Sequence, residues 1–289
     1  MANENKALPE NTPGNFFVDS SCINCGVSRY YAAEVFGDSG THAFVKKQPE
    51  NAQERLATQQ ALLACPTGSI GMRQKHDLKT VIESFPIAMT DEVFLNGFNH
   101  KNSFGAHSYF IQSETGNWLI DSPRFTPHLV NKFEQMGGLS YIFLTHRDDV
   151  ADAHRYAQHF GAQRIIHQLD ADAQKEAELI LEGDEITHVD AAEIHFTPGH
   201  TRGHMVLLWK SKYLFTGDHF AWIPRLNRFA SFRTACWYSW EVQIESVRKM
   251  QVFKEVEWVF PGHGKWGQVD QRQFPQIIED AVEWMLEAR

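Results

Sequence analysis

The 289-residue chain holds only four cysteines, no block of basic residues, no apolar run approaching the ~20 residues of a membrane-crossing helix, and neither repeats nor low-complexity tracts. Each lack excludes something. With a net charge of −9 and no cationic cluster, a nucleic-acid backbone is not an expected partner. The opening "MANENKALPENTPGN" has neither the apolar centre of a signal peptide nor the Arg-rich character of a transit peptide. The expectation is a soluble, cytoplasmic protein with no membrane contact. Four cysteines (Cys22, Cys25, Cys65 and Cys236) are too few for a disulfide framework, so the Cys22-x2-Cys25 pair reads as metal or redox chemistry.

What is present is enough apolar and aromatic residue, 43% and 12%, for a substantial core. The length suits one large domain, or a medium one with a small companion. A compositional break at "MRQKHDLKTVIESFPIAMT", within residues 72–90, separates two unlike regions. We expect a small domain over 14–72, a linker over 73–90 and a large domain over 91–289. The small region offers a strand at "FFV", a cysteine loop, a strand in "THAFVKKQP", and a helix in "NAQERLATQQALLA" that Cys65-Pro66 stops. The large region alternates strand candidates ("HSYFIQS", "NWLIDSP", "YIFLTH", "RIIHQ", "EIHFTPG", "MVLLWKS", "KYLFTGD", "EWVFPGHG") with helical segments such as "RFTPHLVNKFEQM" and "FPQIIEDAVEWMLEA". Hairpins mixed with strand–helix steps predict a layered α/β sandwich.

Four strand ends deliver ligand-type residues: "LTHRDD" with His146, Asp148 and Asp149; "FTPGHTRGH" with His200 and His204; "FTGDHF" with Asp218 and His219; and "FPGHG" with His263. One histidine alone means little, but four such loops in order point to a metal site on a rigid scaffold. Imidazoles with carboxylates suit Zn(II), Fe(II) or Mn(II), and a carboxylate between two ions bridges them.

"TPGHT-x2-H", "FTGD" and "FPGHG" resemble the later motifs of the metallo-β-lactamase fold superfamily, especially its glyoxalase II-like metallo-hydrolases; "NSFGAHSYFI" and "NWLIDSP" are similar to its first hairpins, ending at Asp121. The resemblance runs over roughly residues 90–289. It implies an αββα sandwich with one or two Zn or Fe ions at one edge, in which His200 resembles the site-one histidine, Asp218 the bridging carboxylate and His263 the last site-two histidine. It also implies metal-assisted hydrolysis of an ester, thioester, lactone or amide of a small-molecule substrate, with Asp148 orienting or deprotonating water.

The main family motif, T-H-x-H-x-D-H, is altered. Thr145-His146 fits its start; without a gap, Asp148 replaces the second His, and Val150 and Ala151 replace the D-H pair. With a two-residue deletion, "DDVAD" matches the common "DHVAD", Asp148 becomes the motif Asp, and Asp149 replaces the last His. The deletion keeps a helix start just downstream and is the preferred alignment. Both acids remain candidate ligands, against a plainer role as caps of the following helix. His204 and His219 are candidates for supporting or substrate contacts. Arg225, Arg228 and Arg233, in the aromatic segment 219–240, either bind an anion or are solvated. Cys236 reads as a packing residue and His154 as a surface one.

"CINCGVSRYY" followed by "ACPTGSIG" resembles a single-cluster [4Fe–4S] ferredoxin, whose pattern is C-x2-C-x2-C and a distant C-P. Cys22, Cys25 and Cys65 match; the third position is Ser28, a weak donor to iron. The resemblance leaves open an iron–sulfur cluster, another metal, and a ferredoxin-like domain kept for packing. Such combined chains resemble proteins of cyanobacteria and chloroplasts, which would place this one in cytoplasm or stroma. The rivals to a hydrolase are an oxidoreductase passing electrons, with a redox partner protein, from the cysteine region to non-haem iron, and a scaffold with decayed sites.

Overall fold

Strands buried on both faces must be covered on both sides, and this is how the large region is built. The computed structural model describes residues 2–288. A seven-stranded sheet runs in the order Leu179–Leu181, Gln163–His167, Tyr141–Phe143, Trp118–Ile120, Tyr109–Ile111, Val93–Leu95 and Ile87–Ala88. Its first four strands are parallel and the remainder antiparallel. A six-stranded sheet follows in the order Thr187–Val189, Ala192–Phe196, Met205–Trp209, Tyr213–Gly217, Trp258–Pro261 and Gly267–Gln268, with Tyr213–Gly217 and Trp258–Pro261 parallel.

Alternation along each strand assigns the layers. Tyr109, Ile111, Trp118, Ile120, Phe143 and Ile165 meet Ile194, Leu207, Trp209, Phe215 and Phe260 between the sheets. Phe110, Leu119 and Ile142 point outward onto the helices Pro127–Gln135 and Ala153–Phe160. On the far side Val206, Leu208, Leu214 and Val259 pack under Trp240–Lys249 and Phe274–Glu287. The result is the αββα sandwich. Helix starts are marked by side chains that satisfy free amides: Thr126 accepts from Leu129 N ahead of Pro127, and Ser239 accepts from Val242 N. No helix among the described residues is long and apolar enough to cross a membrane.

The small domain pairs Phe16–Val18 with Ile70–Met72 and Phe36–Asp38 with Ala43–Val45, around the helices Val27–Tyr31 and Ala52–Ala64. Phe16, Val18, Val35, Val45, Ala61 and Ile70 form its core. It starts earlier than residue 14: the Asn11 side chain donates to Leu8 O and Val18 O and accepts from Val18 N and Val45 N, tying the polar opening segment to two strands.

The stretch 73–90 is not a simple linker. It contains the helix Lys79–Glu83 and the edge strand Ile87–Ala88, because Val81 and Phe85 are buried and Ile87 pairs with Leu95. The two domains are tightly joined. The Tyr31 ring packs against Phe85, His107 and Trp266, with centroids 6.4, 6.3 and 5.6 Å away. Arg124 Nη2 donates to Leu63 O at 2.7 Å, and Gln60 Nε2 donates to Ser84 Oγ at 3.1 Å. The helix Val27–Tyr31 therefore holds the cysteine loop against the edge of the sandwich where the ligand loops end.

Candidate metal centre, cysteine site and the cleft between them

The four strand-end loops converge. Nε2 atoms of His146, His200 and His263 lie 3.8, 3.6 and 3.7 Å from Asp218 Oδ2, so one carboxylate oxygen is shared by three imidazoles from three loops. Asp148 Oδ2 lies 3.9 Å from His146 Nε2 and 3.8 Å from His200 Nε2. Two triads have ligand atoms within 4.8 Å of one another: His146, Asp148 and His200, and His146, Asp149 and Asp218.

Asp148 and Asp149 point to different sides of the cluster. Asp148 faces the His146–His200 pair, where the ungapped reading has it. Asp149 faces Asp218, on the second-site side where the gapped reading has it. Neither caps the next helix: that helix begins at Ala153 with Asp152 before it, and Asp149 Oδ2 is buried without a hydrogen-bond partner. The Asp152 carboxylate instead accepts from Phe125 N.

The atoms that point at the centre fit a cation. His146 Nε2, His200 Nε2, Asp149 Oδ2 and Asp218 Oδ1 are all buried without a protein partner, a costly arrangement unless an ion fills it. Gly262 keeps room beside them: a Cβ there would come within 2.8 Å of Asp218 Oδ1 and 2.9 Å of Asp149 Oδ2. Burial, then the charges of Asp218, Asp121 and Asp148, push the Asp149 carboxyl well above its usual range. Burial, then neighbouring histidines, holds His146 well below its usual value, so its ring is neutral. Clustered acids repel one another until an opposite charge sits among them.

Behind the centre, Thr145 N and Oγ1 donate to Asp121, at 2.9 and 3.0 Å, and the same hydroxyl lies 3.0 Å from His146 Nδ1. With Asp121 ionised, the Thr145 proton goes to Asp121 and the hydroxyl accepts from His146 Nδ1–H. That leaves the Nε2 lone pair for a cation. Burial drives Asp121 up to about 8, opposed by these hydrogen bonds and helped by Asp218, so in the metal-free chain the ionised form that sets this tautomer prevails only above that value, and a cation among the acids would favour it. The chain forces Asp121 into a left-handed conformation, φ 53°, to aim it.

Several expected site residues sit elsewhere. His204 and His219 are fully buried and do not line the cleft. Their rings stack at 4.9 Å, with His204 5.3 Å behind His146, so they back the ligand and do not meet substrate. Arg225 lines the cleft, whereas Arg228 lies outside it, exposed at the start of the strand Arg228–Ala230, and Arg233 covers the Trp240 ring. Cys236 Sγ donates to Gly199 O, as a packing residue would, and His154 is exposed. One residue escaped the sequence reading. Asp170, buried just after the strand Gln163–His167, accepts from Arg147 N, Thr201 Oγ1 and Gly203 N, and so fixes two ligand loops. Its strand-end position was the available signal.

In the small domain Cys22, Cys25, Cys65 and Ser28 line one small cavity, and all three thiols are free. The sulfurs are already addressed by donors: Ala43 N to Cys22 Sγ at 3.4 Å and Ser69 N to Cys65 Sγ at 3.3 Å. Among the described residues the three thiols do not come within 4.8 Å of one another as a set. A single tetrahedral ion would need thiolates closer than that; a polynuclear cluster, held by Cys with hydrogen bonds to sulfur, fits better. Burial pushes the Cys25 thiol up to about 12, so without iron it is uncharged.

A cleft of about 1470 Å³ joins the two sites. Asp148, Asp149, His200, Asp218 and His263 form its floor, and Asn24, Cys25, Gly26, Arg29 and Tyr30 of the small domain form one wall. Cys25 lines both this cleft and the cysteine cavity.

Residues 18–72 match the family model described as the 4Fe-4S single cluster domain of Ferredoxin I. Solved structures similar to the chain include the DIM-1 metallo-β-lactamase, 20% identical, with 70% of this chain and 96% of that one covered at a TM-score of 0.55. They include metallo-β-lactamases from Pontibacter korlensis, 17% identical, covering 68% and 97%, TM-score 0.51, and from Hirschia baltica, 16%, 69% and 96%, TM-score 0.51. No curated protein matches the sequence. The fold of the large domain is that of the metallo-β-lactamases.

Proposed function

We propose that the chain is a metal-dependent hydrolase acting on an ester, thioester, lactone or amide of a small molecule. One observation carries this: three imidazoles from three strand ends gather around Asp218 at the floor of an open cleft, with His146 Nε2, His200 Nε2, Asp149 Oδ2 and Asp218 Oδ1 buried and partnerless. His146, His200 and Asp148 would hold one ion; Asp149, Asp218 and His263 would hold or share a second. With three carboxylates among the ligands, Fe(II) and Mn(II) suit the set as well as Zn(II). An ion bound here supplies Lewis acidity and makes water a nucleophile near neutral pH.

The protein's own contribution is position. Asp148, its side chain 45% exposed, is the acid at the centre that solvent reaches, and it can take a proton from water above the floor. Asp149 and His146, both buried, hold geometry instead. The test is metal analysis of anaerobically purified protein together with turnover of a panel of aryl thioesters and lactones. Stoichiometric metal with turnover lost in Asp148→Asn supports the reading; a metal-replete protein inert to the whole panel refutes it.

A second reading, electron transfer from an iron–sulfur cluster to iron in the large domain, is favoured by the single fact that Cys25 lies between the two cavities. Visible absorption that bleaches on reduction, with acid-labile sulfide, supports it. Metal without sulfide removes it.

A further inference from the structure

The cleft has a wall that hydrolysis by the floor does not explain. Although the chain is strongly acidic, Arg202, Arg225 and Lys265 line the cleft, and among the described residues none has a carboxylate within ion-pair distance. Arg225 is exposed and projects from the segment after Asp218, close enough that its charge acts on the Tyr30 phenol of the small domain. The Tyr30 hydroxyl lies over Gly26, where a Cβ would come within 2.7 Å of it, and no hydrogen bond to it is formed among the described residues. Burial raises that phenol to about 12, so it remains an O–H donor. Beside it, Arg29 is fixed by Asn24 at 2.8 Å and Asp38 at 3.2 Å, leaving further N–H groups open to the cleft. Phe104, Trp222 and Ile223 give the same cleft an apolar surface, with Phe104 6.0 Å from the His263 ring of the floor.

Taking the hydrolase reading as its premise, we propose that the ferredoxin-like domain is a wall of the substrate site, where Tyr30 and Arg225 from opposite domains receive an anionic group of the substrate. The substrate class is then an acyl compound with an apolar body and a carboxylate or phosphate remote from the scissile bond. A guanidinium and a phenol hydroxyl on one oxyanion form two charge-assisted hydrogen bonds, which a neutral ester cannot repay.

The experiment uses the metal-loaded full chain and three probes: 4-phenylbutyrate, 3-phenylpropyl phosphate and methyl 4-phenylbutyrate. Affinities are read from tryptophan fluorescence, since Trp222 and Trp237 line the cleft. At least one anion is expected to bind about tenfold or more tighter than the methyl ester, the scale of a charge-assisted pair; which anion wins tells carboxylate from phosphate. Arg225→Gln, at an exposed position without partners, and Tyr30→Phe should each remove most of that preference. Arg228→Gln, outside the cleft, should leave it. Equal binding or no binding of all three overturns the proposal. So does a preference that survives both variants, because the anion then rests on the metal, or one that Arg228→Gln removes as well. Turnover of the matching aryl thioester is scored separately. Anion preference without turnover refutes the hydrolase reading and leaves the wall standing; turnover without preference refutes the wall alone.

Discussion

In the large domain Asp148 stands at a position where the superfamily motif offers an imidazole, and its carboxylate lies 3.8–3.9 Å from two histidine nitrogens. In the small domain Ser28 stands where a thiolate is usual, and its hydroxyl lines a cavity with three cysteines. Each cluster carries an oxygen donor where the motif it resembles offers a nitrogen or a sulfur, with different consequences for the ions each would suit. A carboxylate is still an anionic ligand, suited to harder ions, and the surrounding Nε2 and Oδ atoms remain partnerless and aimed inward. A serine hydroxyl is neutral and hard where iron–sulfur chemistry wants a soft anion. The fold is intact in both places, so a substitution at a ligand position changes chemistry well before it changes architecture.

The largest expected effect would break this comparison at its centre. Asp218→Ala removes the oxygen that three histidines share, and metal affinity by competitive chelation should fall more than the ~10–100-fold typical of losing an outer partner. An unchanged affinity would mean that the cluster holds no ion. Asp121→Asn tests the layer behind: it replaces a carboxylate that only accepts with an amide whose NH2 can donate to Thr145 Oγ1 and turn that hydroxyl's proton toward His146 Nδ1, the wrong tautomer for an Nε2 ligand. A fall within that same ~10–100-fold range is expected, with the melting temperature of the metal-free chain nearly unchanged.

On the other side, Ser28→Cys restores the fourth thiolate. Iron and acid-labile sulfide after anaerobic reconstitution should rise several-fold over the parent, roughly the gain from one more strong ligand. No gain would show that the cavity, and not the missing sulfur, limits loading. The parent should in turn retain metal in the large domain whatever the state of the small one.

The last expected effect, absent at neutral pH and growing only in acid, concerns the joint between the regions. His107 is fully buried among Tyr30, Tyr31 and Trp266, and burial, followed by the nearby His263, lowers it from 6.5 to about 3. A histidine depressed in the folded state contributes stability that is complete above pH 6.5 and is lost as pH falls from 6.5 towards 3. Its share of the slope is at most about 1.4 kcal/mol per pH unit. His107→Asn should flatten the pH dependence of melting across that window; an identical profile would assign the acid lability to other groups.

Much of this was readable along the chain because it is local. Short continuous apolar runs such as "YIFL" and "MVLLW" placed the strands, and Thr126-Pro127 and the C-P stop bounded helices, since these depend on neighbours a few residues away. The edge strands Ile87–Ala88 and Leu179–Leu181 were not readable, being two and three residues long and fixed only by the partners they join. Likewise His204 and His219 share the motif loops with true ligand candidates, and sequence spacing cannot tell the ring that faces the floor from the ring behind it.

By itself the sequence determined the donor types, the order of the four loops that carry them, and the presence of Asp148, Asp149 and Ser28 in motifs that resemble metal and cluster sites. Tertiary structure alone decided that Asp148 and Asp149 face opposite sides of the centre, that Asp170 ties two loops, and that Tyr30 and Arg225, 195 positions apart, line one cleft. Backbone preference acts over a few residues, whereas which side chains meet at a sheet edge depends on how whole layers pack. "LTHRDD" could announce its ligands but not the direction in which each would point.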